Sequence, residues 1–267
     1  MAASLNLKTI NILQHFQIQK LIPAMSSLRF SSTFYLLSFA FLLQTAFGAD
    51  INPLFRSCSN ETFTANIPYQ INLNKLMGYL YYQAPPTGFG LASLGQNPNQ
   101  VHGLALCRGD VSTSDCKTCV ADASSNIRKN CPYSKHATIF YDNCFLKYSN
   151  EDFFGQIDNG PKWYMWNVNN VSNPVISNEK SKELLSHLAK QASTSPKLYA
   201  AGELEMEESK KLYGLAQCTR DLSYDDCKLC LDGIIDDLPS CCDGKQGGRV
   251  ITGSCTIRYE IYPFVKA

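Results

Sequence analysis

HGLALCRGDVSTSDCKTCV, at residues 102–120, returns as YGLAQCTRDLSYDDCKLCL at residues 213–231. The second stretch begins 111 residues after the first, and the same offset relates five pairs of cysteines along the chain. The pairs are Cys107 and Cys218, Cys116 and Cys227, Cys119 and Cys230, Cys131 and Cys242, and Cys144 and Cys255. Because chance does not keep one spacing across five cysteines, the sequence predicts two copies of one cysteine-linked domain.

The composition is that of an exported globular protein. The 267 residues have room for about two domains of ordinary size. The net charge of +1 gives no reason to expect a nucleic-acid partner or binding to an anionic membrane surface. Twelve cysteines at repeating spacings indicate disulfide bonds, and therefore an oxidising compartment.

The first 48 residues read as a signal peptide. The apolar run FYLLSFAFLLQTAF covers residues 34–47, with Arg29 as a basic flank and Gly48 at a suitable cleavage point. This run is shorter than the roughly 20 apolar residues that span a bilayer, and no second apolar run follows it. We therefore expect residues 1–48 to be removed and the mature chain to be soluble, without membrane insertion. Met25 is an alternative start that gives a signal peptide of ordinary length.

Two N-glycosylation acceptors agree with an exported chain. They are Asn60, in the sequence Asn-Glu-Thr, and Asn170, in the sequence Asn-Val-Ser. We predict a secreted glycoprotein of the cell exterior, which in a plant is the apoplast.

Apolar periodicity predicts helices followed by strands in each copy. Leu73, Leu76, Met77 and Leu80 recur at helical spacing in the first copy. In the second helix of each copy both cysteines of a CxxC motif fall on the apolar face, which we expect to face the core. Runs rich in β-branched and aromatic residues follow, separated by turn residues such as Asp142; they cover residues 137–141, 144–148, 249–251 and 255–262. Helices segregated from strands indicate an α+β fold with an antiparallel sheet.

The domain boundaries follow from the repeat. We assign residues 51–153 to the first domain and residues 159–266 to the second. Residues 152–169 between the two patterns read as a linker. Because the linker contains Trp163, Tyr164 and Trp166, we expect it to pack against the domains instead of forming a flexible tether.

Each CxxC motif admits three interpretations. A thioredoxin-type redox pair needs an exposed first cysteine at a helix N-terminus, whereas these pairs lie inside a helix on its core face. A zinc site needs four converging ligands, but the two motifs lie in separate copies and no histidine stands at ligand spacing. Structural disulfides are therefore the favoured interpretation.

The second copy departs from the first in one pair of cysteines. Asn169 stands 111 residues after Cys58, while the second copy has an additional Cys241 beside Cys242. If Cys58 pairs with Cys131, then Cys242 has lost its partner and Cys241 is the nearest thiol. Either a Cys241–Cys242 bridge forms between adjacent residues, or both remain thiols.

The sequence shows no catalytic, metal-binding or cofactor-binding constellation. Its histidines, at positions 15, 102, 136 and 187, have no partner nucleophile motif. The sequence lacks a GxSxG elbow, a glycine-rich phosphate loop and an HExxH motif. We therefore predict a protein without enzymatic activity and without a cofactor or metal ion.

The spacing C-x8-C-x2-C in both copies resembles that of the plant stress-antifungal, or ginkbilobin-homologous, domain. The stretches YGLAQC at residues 213–218, GGRV at 247–250 and RYE at 258–260 are similar to that family as well. Two such domains behind a signal peptide look like a cysteine-rich repeat secretory protein. The resemblance implies, for each domain, two helices packed on a five-stranded antiparallel sheet.

The resemblance also implies how the cysteines pair. In this family the first cysteine bonds to the fifth, the second to the third and the fourth to the sixth. The corresponding bonds here are Cys58–Cys131, Cys107–Cys116, Cys119–Cys144, Cys218–Cys227 and Cys230–Cys255. Each bond stabilises the fold by about 2–4 kcal/mol, mainly by restricting the unfolded chain.

A mannose-binding member of the family provides candidate ligand positions. It uses an Asn after its first cysteine, an Arg six residues before its last and a Glu five residues after it. In the first copy the matching residues are Ser59, Thr138 and Ser149, which lack these side chains. In the second copy they are Asn170, Arg249 and Glu260, whose carboxylate can accept hydrogen bonds from sugar hydroxyls while the other two donate. The alternative is that Arg249 and Glu260 form an exposed ion pair on a strand.

Two functions fit these observations. The first is a secreted, defence-related and antifungal protein that binds a mannose-type carbohydrate. The second is an extracellular interaction module that docks a cell-surface receptor or another protein partner.

Overall fold

A computed structural model describes residues 52–65, 67–206 and 210–265. The predicted signal peptide lies outside these residues, and so do positions 51 and 266, where the predicted domains begin and end. Within the described ranges, no helix has the length and apolar character needed to cross a membrane.

The first repeat is a five-stranded antiparallel sheet covered by two helices. Its strands stand in the order β1-β4-β5-β3-β2. Its elements, in chain order, are β1 (Phe55–Cys58), α1 (Pro68–Thr87), β2 (Phe89–Leu94), β3 (Val101–Cys107), α2 (Thr113–Asn130), β4 (Ala137–Phe140) and β5 (Cys144–Ser149).

The second repeat has the same topology, with strand order β6-β9-β10-β8-β7. Its elements are β6 (Trp163–Trp166), α3 (Pro174–Thr194), β7 (Tyr199–Glu205), β8 (Lys211–Cys218), α4 (Tyr224–Ile235), α5 (Leu238–Cys242), β9 (Gly247–Ile251) and β10 (Cys255–Glu260). The predicted α+β tandem fold is therefore confirmed. One departure is that the helix corresponding to α2 is divided into α4 and α5. Pro239 stands at the break, where its ring cannot continue the helical hydrogen bonding.

The CxxC helices begin in the same way in both repeats. Ser112 caps α2 by accepting a hydrogen bond from the Asp115 amide, and Ser223 caps α4 by accepting one from the Asp226 amide. The predicted core face is also found. Its buried residues in α2 are Cys116, Cys119, Val120, Ala123, Ser124 and Ile127.

Six disulfide bonds join the twelve cysteines, all of which lie in the described residues. The bonds are Cys58–Cys131, Cys107–Cys116, Cys119–Cys144, Cys218–Cys227, Cys230–Cys255 and Cys241–Cys242. The two cysteines of each CxxC motif bond to different partners, which is not the arrangement of a thioredoxin-type pair. In each repeat these bonds fasten the CxxC helix to two neighbouring strands of the sheet.

The segment between the repeats is more than the predicted linker, because residues 163–166 form edge strand β6 of the second sheet. Trp163 at the start of β6 stacks on Phe55 of the first repeat, with ring centroids 3.8 Å apart. Both rings pack on an apolar cluster to which both repeats contribute, including Phe140 and Ile251. Sequence reasoning missed β6 because WYMW does not alternate between apolar and polar residues.

Residues before β6 form a polar clamp between the repeats. The buried ammonium of Lys147 in β5 donates to the carboxylate of Asp158. The amide of Asp158 donates to the Ser254 hydroxyl of the second repeat at 2.8 Å. Apolar packing and these polar contacts together join the two repeats into one compact unit.

Candidate functional site

A cleft of about 330 Å³ opens beside β6, β9 and β10, where the two repeats meet. Most of its lining comes from the second repeat, and two residues come from the first. The lining residues are Leu54, Asp142, Met165, Trp166, Asn167, Gly248, Arg249, Arg258, Glu260 and Tyr262. A concave surface with a few converging polar groups between aromatic side chains is the usual form of a small-ligand site.

Arg249 lies buried on β9, where its backbone pairs with Met165 of β6 and with Arg258 of β10. Its Nη1 donates a 2.7 Å hydrogen bond to Oδ1 of Asp142, and its guanidinium lies over the ring of Phe140. Burial lowers the pKa of Arg249 to about 10, although the nearby Asp142 charge opposes the shift. The guanidinium is therefore still protonated at neutral pH.

Asp142 follows β4 in the first repeat and is bonded to three arginines. Its Oδ1 accepts from Arg249 and, at 3.2 Å, from Arg258, while its Oδ2 accepts from Arg108 at 3.0 Å. Burial disfavours ionisation of this carboxyl, but the charges of Arg249, Arg108 and Arg258 outweigh it and lower the pKa of Asp142. Asp142 is therefore a charged junction between the repeats, a role that its sequence position in a turn did not indicate.

Glu260 lies buried near the end of β10. Its Oε1 accepts a 3.1 Å hydrogen bond from Nε of Arg258, and its Oε2 lies so close to Gly247 that a Cβ there would collide with it. The predicted alternative, an exposed pair between Arg249 and Glu260, is therefore wrong. Both residues are buried, and the ion-pair partner of Arg249 is Asp142, whereas that of Glu260 is Arg258.

Asn170 lies outside the cleft. It forms an isolated β-bridge with Lys245, and its side-chain oxygen accepts a 2.8 Å hydrogen bond from the Lys245 ammonium. Asn167 lines the cleft instead, three residues earlier. The structure thus brings Arg249 and Glu260 together as predicted, but it places a different asparagine beside them.

Two aromatic side chains border the cleft. The side chain of Trp166 at the end of β6 is 54% exposed, and that of Tyr262 after β10 is 45% exposed. The Tyr262 hydroxyl accepts a 3.2 Å hydrogen bond from Nη2 of Arg258. The cleft therefore combines hydrogen-bonding groups with exposed ring surface.

The first repeat has a corresponding hollow of about 270 Å³ with different chemistry. No arginine is among the described residues that line it, and serines occupy the positions of Asn167 and Glu260. The lining residues are Ser57, Cys58, Ser59, Glu61, His136, Ser149, Asn150 and Glu151. The two repeats therefore share a fold but not a binding chemistry.

One serine, histidine and aspartate do meet in the first repeat. The Ser93 hydroxyl lies 2.7 Å from Nδ1 of His102, and Oδ1 of Asp152 lies 3.8 Å from the same nitrogen. A catalytic triad uses the two different ring nitrogens of its histidine, so these residues do not form a proton relay.

The family model described as salt stress response/antifungal matches residues 57–151 and residues 167–262 of this chain. Two similar proteins cover nearly the same span. The chain is 55% identical over 244 residues to an antimicrobial ginkbilobin-2-like protein of Castanea crenata, across 91% of this chain and 100% of that protein. It is 52% identical over 217 residues to cysteine-rich repeat secretory protein 38 of Arabidopsis thaliana, across 80% of this chain and 86% of that protein.

The fold is also similar to a solved structure. The tandem DUF26 ectodomain of the Arabidopsis thaliana cysteine-rich receptor-like protein PDLP8 superposes with a TM-score of 0.71 at 26% sequence identity. The match covers 79% of this chain and 98% of that ectodomain.

Proposed function

Because this chain belongs to the salt stress response/antifungal family, we propose that it is a secreted, non-catalytic defence protein whose second repeat binds a mannose-type carbohydrate. Relatives carry the name secretory protein. Twelve disulfide-bonded cysteines are typical of an oxidising compartment, so the protein is extracellular. The antifungal role is supported by the name of the Castanea crenata relative.

The observation that carries the carbohydrate proposal is the meeting of Asn167, Arg249 and Glu260 in one cleft. These are the three residue types through which the mannose-binding member of the family holds its sugar. Carboxylate oxygens accept hydrogen bonds from sugar hydroxyls, and the guanidinium and amide groups donate them. Two polar atoms, Arg249 Nε and Glu260 Oε2, are buried without a hydrogen-bond partner among the described residues, which leaves bonding capacity for a polar ligand.

The aromatic borders support the same proposal. A sugar ring has an apolar face of C–H groups that can pack on an exposed aromatic ring while its hydroxyls bond to polar side chains. Trp166 and Tyr262 provide such rings next to the charged groups.

The position of Asn170 removes a conflict between glycosylation and ligand binding. A residue that carries a glycan cannot also hold a sugar ligand with its amide. Since Asn167 lines the cleft, the exposed Asn170 is free to be glycosylated. We propose Asn170 and the exposed Asn60 as the N-glycan sites of the mature protein.

A glycan array on the mature protein tests the carbohydrate proposal. We expect binding to mannose-type glycans, and a loss of at least tenfold in the Glu260→Gln variant, which keeps the shape of the side chain. Ser149→Ala, at the corresponding position of the first repeat, is the matched control and is expected to bind normally. A wild-type protein that binds no mannose-type glycan would overturn the proposal.

Protein docking is the second candidate function, and strand β6 favours it. β6 stands at the edge of its sheet, and three of its side chains, those of Tyr164, Met165 and Trp166, are exposed. An edge strand with exposed large side chains can pair with an extended segment of a partner protein. A pull-down of cell-surface proteins that is insensitive to Glu260→Gln would support this function.

A further inference from the structure

We propose that Asp142, a residue of the first repeat, restricts the cleft of the second repeat to uncharged sugars and excludes uronic acids. The inference rests on the carbohydrate-binding function proposed above. It adds a specificity residue to the cleft, and it gives the tandem arrangement of the repeats a role in ligand selection.

The charges in the cleft are balanced. Its lining contains two positive residues, Arg249 and Arg258, and two negative residues, Asp142 and Glu260. Arg249 is paired with Asp142, and Arg258 is bonded to both carboxylates. A ligand carboxylate therefore meets no unpaired positive charge in this cleft, and it meets two negative ones.

Asp142 takes the place that a ligand carboxylate would need. Arginine holds carboxylates strongly because its planar N–H groups match the two oxygens. Here Oδ1 of Asp142 lies 2.7 Å from Nη1 of Arg249 and 3.2 Å from Nη1 of Arg258, so it is already the acceptor for both guanidinium groups. A uronate would have to approach the same groups against the charge of Asp142.

Asp142 is held in this position from the side of the first repeat. Arg108 donates to its Oδ2 at 3.0 Å and is itself bonded to Asp110, so the Asp142 carboxylate cannot easily turn away. The Asp142 side chain is nevertheless 47% exposed, which lets it meet a ligand directly.

An uncharged sugar experiences the same cleft differently. Its hydroxyls can donate to the carboxylates of Asp142 and Glu260, and they can accept from the remaining N–H groups of the arginines. The arrangement that repels a uronate therefore binds a neutral hexose. Repulsion of the wrong ligand is a common source of selectivity in binding sites.

The test compares two ligands that differ only at C6, methyl α-mannoside and the corresponding methyl α-mannuronoside, by isothermal titration calorimetry at neutral pH. We expect the wild type to prefer the mannoside by at least tenfold. In Asp142→Asn this preference is expected to fall at least tenfold, because Arg249 and Arg258 become available to the uronate. Asp110→Asn removes one negative charge from the same network outside the cleft, so it is the matched control and should keep the wild-type preference.

Each outcome separates this inference from the proposed function. Wild-type protein that binds the mannoside and the mannuronoside equally well overturns the inference and leaves the carbohydrate function intact. The same holds if Asp142→Asn keeps the preference, or if Asp110→Asn loses it to the same degree. Wild-type protein that does not bind the mannoside contradicts the proposed function, whereas mannuronoside binding gained only by Asp142→Asn still supports the inference. Thermal unfolding verifies that both variants fold, and the comparison of two ligands on the wild type needs no variant.

Discussion

Trp166 occupies in the second repeat the position that Cys58 occupies in the first. Cys58 pairs with Ala137 across β1 and β4, and Trp166 pairs with Gly248 across β6 and β9. The next residue makes the same contact in both repeats. The amide of Ser59 donates to the His136 carbonyl at 2.9 Å, and the amide of Asn167 donates to the Gly247 carbonyl at 2.9 Å. The asparagine of the candidate site is therefore Asn167.

This equivalence predicts which asparagine binds the sugar. Asn167→Ala should weaken mannoside binding at least tenfold, because it removes an amide that lines the cleft. Asn170→Gln should leave the affinity unchanged, since Asn170 bonds to Lys245 outside the cleft. Calorimetric titration measures both variants, and a larger loss in Asn170→Gln would refute the assignment.

The loss of the Cys58 equivalent predicts unequal contributions from two disulfides. The Cys58–Cys131 bond closes a sequence separation of 73 residues, whereas the Cys241–Cys242 bond joins neighbours. Replacing both cysteines of the first bond by serine should lower the free energy of unfolding by about 4 kcal/mol, because a long loop is no longer restricted in the unfolded chain. Replacing both cysteines of the second bond should cost at least about 2 kcal/mol less. Urea unfolding measures the difference, and equal costs would contradict it.

Two tryptophans of one strand should differ in their effect on stability. Trp163 packs on Phe55 and on the apolar cluster between the repeats, so Trp163→Ala should lower the free energy of unfolding by about 2–3 kcal/mol. Trp166 is more than half exposed, and Trp166→Ala should change stability by less than about 1 kcal/mol. Urea denaturation of both variants provides the comparison. Similar losses would show that Trp163 does not join the repeats.

Acid should destabilise the contacts between the repeats. The pKa values of Asp142 and Asp158 are lowered in the folded protein, in both cases by arginine or lysine partners that outweigh the effect of burial. A carboxyl with a lowered folded-state pKa stabilises the fold above its unfolded pKa of about 4, and this contribution is lost as the pH falls towards the folded-state pKa. We therefore expect the melting temperature to fall below about pH 5.

A substitution at Asp158 isolates its share of this acid effect. Asp158→Asn should cost about 2 kcal/mol at neutral pH, because it leaves the buried Lys147 ammonium without its carboxylate, and it should flatten the acid limb of the stability curve. Glu183→Gln, which removes an exposed partner of Lys180 on α3, is the matched control with little effect. An unchanged acid limb in Asp158→Asn would show that this pair does not contribute.

The sequence predicts the fold well because the cysteine spacing and the apolar helix faces are local patterns that both repeats carry. It predicts Arg249 and Glu260 for the same reason, since both stand at fixed distances from Cys255. Asn167 is missed because the second repeat has three more residues between β6 and α3, and no cysteine marks the shift. A register based on Trp166 in place of the missing cysteine would have found it.

Asp142 cannot be predicted in this way. Its function depends on how the two repeats pack, and its arginine partners Arg249 and Arg258 lie 107 and 116 residues away in the chain. Such contacts leave no periodic pattern in the sequence. A turn aspartate that is bonded to two strands of another repeat becomes visible only in three dimensions.

Titration of the isotope-labelled protein with methyl α-mannoside, followed by amide NMR, tests the central claim most directly. Sugar binding in the cleft predicts saturable shifts that cluster at Trp166, Asn167, Gly248, Arg249 and Glu260. It also predicts that the amides of Ser59 and Ser149 in the first repeat stay unchanged. An unaltered spectrum, or shifts centred on the hollow of the first repeat, would contradict the assignment of carbohydrate binding to the second repeat.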